Sequence, residues 1–85
     1  MRNLRRLQQN PNNFLNMAYL NMFEVPFNFR ERVLEECNYS LPTFYRKLKD
    51  PYIFSNAEKQ KMISIVDECI ENLIEFVEPF RKKAN

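Results

Sequence analysis

The sequence predicts an all-α fold, a small helical bundle whose last helix is long. Three observations support this prediction. Apolar residues recur every three or four positions through most of the chain, which is the helical period. Ser40 and Ser55 stand where helix N-caps are expected. Asn and Pro separate the periodic segments of a chain that contains no glycine, and beyond the brief link from Tyr52 to Phe54 nothing argues for strands.

The composition is that of one folded domain. The chain has 85 residues, of which 45% are hydrophobic and 28% charged. A domain of this size buries a modest core, so oligomerisation would help it. The net charge of +2 is too small to argue for nucleic acid by itself. We expect a cytoplasmic protein without membrane contact, because no apolar run is long enough for a bilayer and no signal-peptide pattern is present.

The first segments are separated by proline and asparagine. Residues 1–11 form a basic N-terminal arm or short helix, and residues 12–54 form the next region. Asn12 is expected to cap a helix that runs to about Phe23, and Pro26 is expected to end that segment. A capping pair then begins a new helix, which Asn38 ends by adopting the left-handed conformation. The pair consists of Asn28 and Glu31.

The next helix, residues 41–49, begins sharply. Ser40 caps it and Pro42 falls in its first turn, where a missing N–H costs little. Three apolar residues at helical spacing are expected to face the core, namely Leu41, Phe44 and Leu48. The outer face then carries Thr43, Tyr45, Arg46, Lys47 and Lys49. Such a face suits phosphates and base edges, although a solvated helix face whose cations favour the helix dipole explains it too.

The last region, residues 55–85, is expected to be one long helix. Asp50 and Pro51 break the preceding pattern, and residues 52–54 are expected to tuck under the bundle. Ser55 and Glu58 then form a capping box, and about six turns follow before Pro79, which is expected to kink or end the helix.

Two apolar stripes on this long helix predict pairing with a second copy. The first is a heptad seam of Met62, Val66, Cys69, Leu73, Phe76 and Phe80, and the second consists of Ile63, Ile70 and Val77. A face this wide exceeds what one small bundle covers, so we expect a homodimer. A seam used only for the intramolecular core is the alternative.

Catalysis and cofactors find no support in the composition. The chain has no glycine, which excludes glycine-dependent phosphate loops, and no histidine to titrate near neutrality. We expect no enzyme activity, cofactor, metal or small-molecule substrate. Cys37 and Cys69 lie on apolar sides of helical patterns and are expected to be buried free thiols.

Residues 33–58 resemble the helix-turn-helix of Cro and phage-repressor-like regulators. The similarity is carried by Val33-Leu34-Glu35-Glu36-Cys37-Asn38-Tyr39-Ser40 followed by Thr43-Phe44-Tyr45-Arg46-Lys47-Leu48, and by the capping box at Ser55. The chain departs from the family at Leu34, where Ala is usual, and at Asn38, where Gly is usual. The resemblance implies that residues 41–49 enter the major groove of DNA. The positions carried over are Ser40, Leu41, Thr43, Tyr45, Arg46 and Lys47, and Lys49 adds a backbone contact.

Two functions follow as expectations. The preferred one is a sequence-specific transcription regulator that binds double-stranded DNA as a homodimer. The alternative is a helical protein-interaction or adaptor module that does not bind DNA, in which the apolar face of the long helix docks a partner.

Overall fold

The protein is all-helical, as predicted. A computed structural model describes residues 8–84 and contains three helices: α1 at Phe14–Cys37, α2 at Leu41–Lys49 and α3 at Asn56–Ala84. No strand occurs within this range. The predicted arm at residues 1–11 lies mostly outside the described residues. Residues 8–13, which precede α1, form no helix.

Helix α1 is one continuous helix where the sequence predicted two. Its cap is Asn13, one residue later than predicted, and the Asn13 side chain accepts from the backbone N–H of Asn16 at 3.0 Å. The helix continues through Pro26, and Asn28 lies within it, so the predicted end and the predicted capping pair are both wrong.

Packing explains why α1 continues through proline. An interior proline costs roughly 3 kcal/mol, since it removes one hydrogen bond and crowds the preceding turn. Both ends of α1 are held against α3. The Phe14 ring centroid lies 4.9 Å from that of Phe80, and the Arg32 guanidinium donates to both carboxylate oxygens of Glu68 at 3.1 and 3.2 Å. These contacts also show that α1 and α3 run antiparallel.

The turn between α1 and α2 is built as the sequence predicted. Asn38 is left-handed, with φ 57° and ψ 44°, and its N–H bonds the carbonyl of Leu34. Ser40 caps α2, with its hydroxyl oxygen accepting from the N–H of Thr43 at 3.3 Å, and Pro42 lies in the first turn. The α2 helix ends at Lys49, immediately before Asp50 and Pro51.

The capping box of α3 is also confirmed. The Ser55 N–H donates to the Glu58 carboxylate at 2.9 Å, and the Glu58 N–H donates to the Ser55 hydroxyl at 3.1 Å. Helix α3 does not end at Pro79, which is an interior residue of a helix that continues to Ala84.

The core is small and takes one residue from each helix. Val33, Phe44 and Ile65 are the buried apolar residues of the described range. Half-buried side chains surround them, namely Phe29, Leu34, Cys37, Tyr39 and Cys69. The two cysteines are free thiols as predicted, but they are half-buried rather than fully enclosed. Helix α2 therefore docks by Phe44 onto the C-terminal half of α1 and the first turns of α3.

Four residues that were expected to be buried are exposed, namely Leu41, Leu48, Tyr52 and Ile53. Leu41 and Leu48 are 44% and 65% exposed, because Phe44 is the side chain of the short α2 that reaches the core. The link that was expected to tuck under the bundle leaves Ile53 93% exposed, and only Phe54 of residues 52–54 is half-buried.

Candidate functional site

The outer face of α2 is the strongest candidate site, and it is formed by four exposed residues. Pro42, Tyr45, Arg46 and Lys49 are all exposed, and their separations of three, four and seven residues place them on one stripe of the helix. The buried Phe44 lies on the other side. The structure therefore brings Tyr45, Arg46 and Lys49 together as predicted and adds Pro42.

The start of α2 is tied together by hydroxyl groups. The Ser40 hydroxyl donates to the hydroxyl of Thr43 at 2.8 Å, and one Arg46 guanidinium nitrogen donates to the same Thr43 oxygen at 3.5 Å. Thr43 is half-buried, whereas Ser40 and Leu41 are exposed at the end of the helix nearest the turn. These contacts keep the Arg46 guanidinium beside the first turn of α2.

Lys47 does not belong to the outer face, contrary to the sequence-based expectation. Its side chain is half-buried, and its ammonium nitrogen lies 3.3 Å from the ring centroid of Tyr52 and 5.2 Å from that of Tyr39. A cation above an aromatic ring is attracted to the negative face of the ring. Lys47 therefore connects α2 to the turn before it and to the link after it.

Tyr39 and Glu58 hold the same region against α3. The Tyr39 hydroxyl donates to the Glu58 carboxylate. This bond, together with the bond from the Ser55 backbone N–H, lowers the pKa of Glu58. Burial first, and then the neighbouring Glu58, raise the pKa of Tyr39. The orientation of α2 is thus fixed at both of its ends by polar contacts with neighbouring elements.

Arg30 on α1 adds a cation that sequence reasoning missed. Its guanidinium donates to the Tyr45 hydroxyl at 3.0 Å and to the Glu31 carboxylate at 3.1 and 3.2 Å. The hydrogen bond to Tyr45, followed by that to Glu31, raises the pKa of Arg30. No sequence signal could have identified this residue, because it lies 15 positions from Tyr45 and on a helix that was expected to begin near it.

The predicted dimerisation seam on α3 mostly faces the rest of the chain. Its half-buried members are Met62, Cys69, Leu73, Phe76 and Phe80, whereas Val66 is exposed. The rings of Phe76 and Phe80 have centroids 6.3 and 4.9 Å from that of Phe14, so α1 already occupies this end of the seam. Ile65, which the seam omitted, is 2% exposed and is the most central residue of α3.

The described residues hold no metal or membrane feature. Within residues 8–84, no group of three or more His, Cys, Asp or Glu side chains is arranged to bind a metal ion. None of the helices in this range is both long and apolar enough to cross a bilayer. An apolar cavity of about 250 Å³ lies behind α2, between Phe29, Phe44, Phe54 and Met62.

Comparison with known proteins found no match among family models, curated proteins or solved structures. The function of this protein is therefore inferred from the geometry of α2 and its neighbours.

Proposed function

We propose that this protein is a sequence-specific transcription regulator that binds double-stranded DNA with α2 in the major groove. The observation that supports the proposal best is the division of α2 into two sides. Phe44 anchors one side in the core, and Tyr45, Arg46 and Lys49 stand exposed on the other.

The dimensions of α2 suit the groove. An α-helix with its side chains is about 10–12 Å wide, and the major groove of B-DNA is about 12 Å wide. Nine residues at the helical rise span roughly 14 Å, which is about four base pairs. Both ends of α2 are capped, so its exposed face is held in one orientation.

Each exposed side chain has a role in this proposal. Arg46 carries a planar fork of donors that fits the O6 and N7 acceptors of guanine. Lys49, nearer the end of the helix, supplies a point charge for a phosphate. The Tyr45 hydroxyl and Arg30 contact the backbone and set the register, since phosphate contacts position a protein without reading sequence. Ser40, Leu41 and Thr43 lie at the end that approaches the bases first, and Lys47 is removed from the set.

The proposal includes a homodimer in the cytoplasm. Two copies present two recognition helices to a two-fold related DNA site, which doubles the contacts and defines the spacing of the half-sites.

Selection of bound sequences from random duplex DNA, followed by titration of the selected duplex, tests the proposal. Affinity is expected to fall by about 10³ or more between 50 and 200 mM salt if each bound dimer makes six or more phosphate contacts. Arg46→Ala is expected to cost about tenfold or more in affinity and to relax the sequence preference. Lys49→Ala is expected to weaken binding to all sequences alike and to reduce the salt slope by about 2, because each dimer loses two phosphate contacts.

Lys59→Ala is the matched control, because Lys59 is an exposed lysine that belongs to α3 and not to α2. This variant should bind DNA as the unmodified chain does. Absence of binding at 50 mM salt, or equal losses for Lys49→Ala and Lys59→Ala, contradicts the proposal.

The second candidate is the interaction or adaptor module without DNA binding. It is favoured by the row of exposed apolar residues on α3, which suits a protein contact. The same titration separates the two candidates, since an adaptor has no reason to bind duplex DNA in a salt-dependent manner.

A further inference from the structure

The apolar cavity behind α2 is lined by all three helices and by both of the connections between them. Its volume is about 250 Å³. Seven of its eight lining residues are apolar or aromatic, namely Phe29, Val33, Tyr39, Phe44, Leu48, Phe54 and Met62. Leu48 is 65% exposed, so the cavity opens to solvent beside this residue and a small molecule can enter there.

The polar groups around the cavity are already engaged. The Tyr39 hydroxyl donates to the Glu58 carboxylate, and the eighth lining residue, Lys47, holds its ammonium nitrogen 3.3 Å from the centroid of the Tyr52 ring. Among the side chains that the structure describes, no buried nitrogen or oxygen lacks a hydrogen-bond partner. An anion that drew the Lys47 ammonium away from the ring would also approach Glu58, whose negative charge repels it. The lining therefore favours a neutral ligand without hydrogen-bonding groups, since a polar atom that is buried without a partner is costly.

The size of the cavity and its aromatic lining define the shape of that ligand. An apolar cavity of about 150 Å³ takes up benzene, so the larger volume here has room for a second fused ring. Aromatic rings attract one another edge to face beyond the effect of buried area. A fused ring system also has no rotatable bond to immobilise on binding, whereas an alkyl chain of the same volume has several. The four aromatic lining residues are Phe29, Tyr39, Phe44 and Phe54.

We propose that this cavity binds a neutral aromatic molecule of two fused rings. The molecule enters beside Leu48 and fills the space between α2 and the two long helices, in contact with Phe44 and Met62. It is bound and not converted, so the expectation of no small-molecule substrate is not affected. The inference does not depend on the proposed function, because DNA takes no part in it.

Naphthalene is the probe that tests the inference, and the methyl groups of the four methionines are the reporters. Met62 lines the cavity, whereas Met22 is 59% exposed on α1 and does not. The full chain is labelled with ¹³C at the methionine methyl groups, and a Met62→Leu chain identifies the Met62 signal by its loss. Naphthalene is expected to shift the Met62 signal in a saturable manner, because the ring current of a bound aromatic molecule acts only at short range. The Met22 signal should not move.

The carboxylate analogue 2-naphthoate tests the chemical class of the ligand. It carries the same two rings and a negative charge, so at the same concentration it is expected to shift the Met62 signal by less than about a tenth as much. A 2-naphthoate shift equal to that of naphthalene would show that the site selects an anion, and the proposed class would be wrong.

A larger side chain at Met62 tests the location of the site. Naphthalene should raise the thermal midpoint of the unmodified chain, since a ligand of the folded state stabilises that state. Met62→Trp fills the cavity and should remove this rise, whereas Met22→Trp, which adds the same side chain at an exposed position, should retain it. If Met62→Trp does not fold, the methyl titration of the unmodified chain still decides the question. No Met62 shift in naphthalene-saturated buffer, or equal shifts of the Met62 and Met22 signals, overturns the inference.

Discussion

The ammonium nitrogen of Lys47 lies 3.3 Å from the centroid of the Tyr52 ring. This contact spans the break at Asp50 and Pro51 and joins the last turn of α2 to the link that leads into α3. The same nitrogen lies 5.2 Å from the ring of Tyr39, which precedes α2 in the chain. Lys47 thus contacts the segments on both sides of the short helix, and these contacts position α2.

Replacing Lys47 should reduce stability rather than remove a DNA contact. Lys47→Ala is expected to lower the free energy of unfolding by about 1 kcal/mol, because a partly desolvated cation above an aromatic ring is lost. Urea unfolding followed by circular dichroism measures this change. Lys49→Ala removes the same charge from an exposed residue of the same turn and should change the free energy by less than about 0.5 kcal/mol. Equal changes for the two variants would show that the ring contacts contribute nothing.

Asn38 is the second test, because it is the one residue with positive φ in the described range. Asn38→Ala is expected to destabilise the fold by about 1 kcal/mol or more, since a β-carbon without a polar side chain is disfavoured in this conformation. Asn38→Gly is the control and should be at least as stable as the original. Denaturant midpoints compare the three chains. A stable Asn38→Ala would mean that the turn tolerates another conformation.

Because the pKa of Glu58 is lowered in the fold, we expect the protein to lose stability in acid. The pKa of Glu58 is lowered from an ordinary value of 4.5, mainly because the Tyr39 hydroxyl and the Ser55 N–H donate to the charged form. The resulting stabilisation is present above pH 4.5 and is lost as the pH falls through the lowered pKa. Denaturant midpoints between about pH 3 and pH 7 measure this loss.

Glu58→Gln should flatten that part of the pH profile and lower stability at neutral pH. Tyr39→Phe should reduce the acid dependence only in part, because the Ser55 N–H still donates to Glu58. At alkaline pH, the change in stability comes from Tyr39, whose pKa is raised by burial from an ordinary value of 10.0. Its contribution is complete below pH 10 and decreases as the pH rises above it, a decrease that Tyr39→Phe should abolish. An unchanged acid limb in Glu58→Gln would contradict the role given to the carboxylate.

The local features of the fold were predictable from sequence. Ser40, Asn38 and Ser55 act through hydrogen bonds to backbone within a few residues, so their identity and position suffice to predict them. The capping box shows this best, because both of its bonds join residues three positions apart.

The continuity of α1 was not predictable in the same way. The cost of Pro26 is local, but the contacts that outweigh it come from Phe76, Phe80 and Glu68, which lie some 40 to 60 positions away along the chain. A rule about proline contains no information about such partners. The predicted break was therefore physically reasonable and wrong.

The burial of Ile65 on α3 was not predicted for a different reason. Met62, Val66 and Cys69 are separated by four and three residues, and Met62, Ile65 and Cys69 by three and four. Both series satisfy a helical seam, and the adjacent Ile65 and Val66 are equally apolar. Only the placement of α1 and α2 shows which one is buried. The same dependence explains why Lys47 was assigned outward and Arg30 was missed.

Pro26 also determines where α1 is weakest. Pro26 has no N–H to donate to the carbonyl of Met22, so one backbone hydrogen bond of α1 is missing. The hydrogen bonds on either side of this gap therefore open less cooperatively. The two halves of α1 are clamped separately, by Phe14 at one end and by Arg32 at the other. Thermal fraying that starts at the amino-terminal end of α1 therefore meets a natural stopping point before it reaches the segment that supports the asparagine turn.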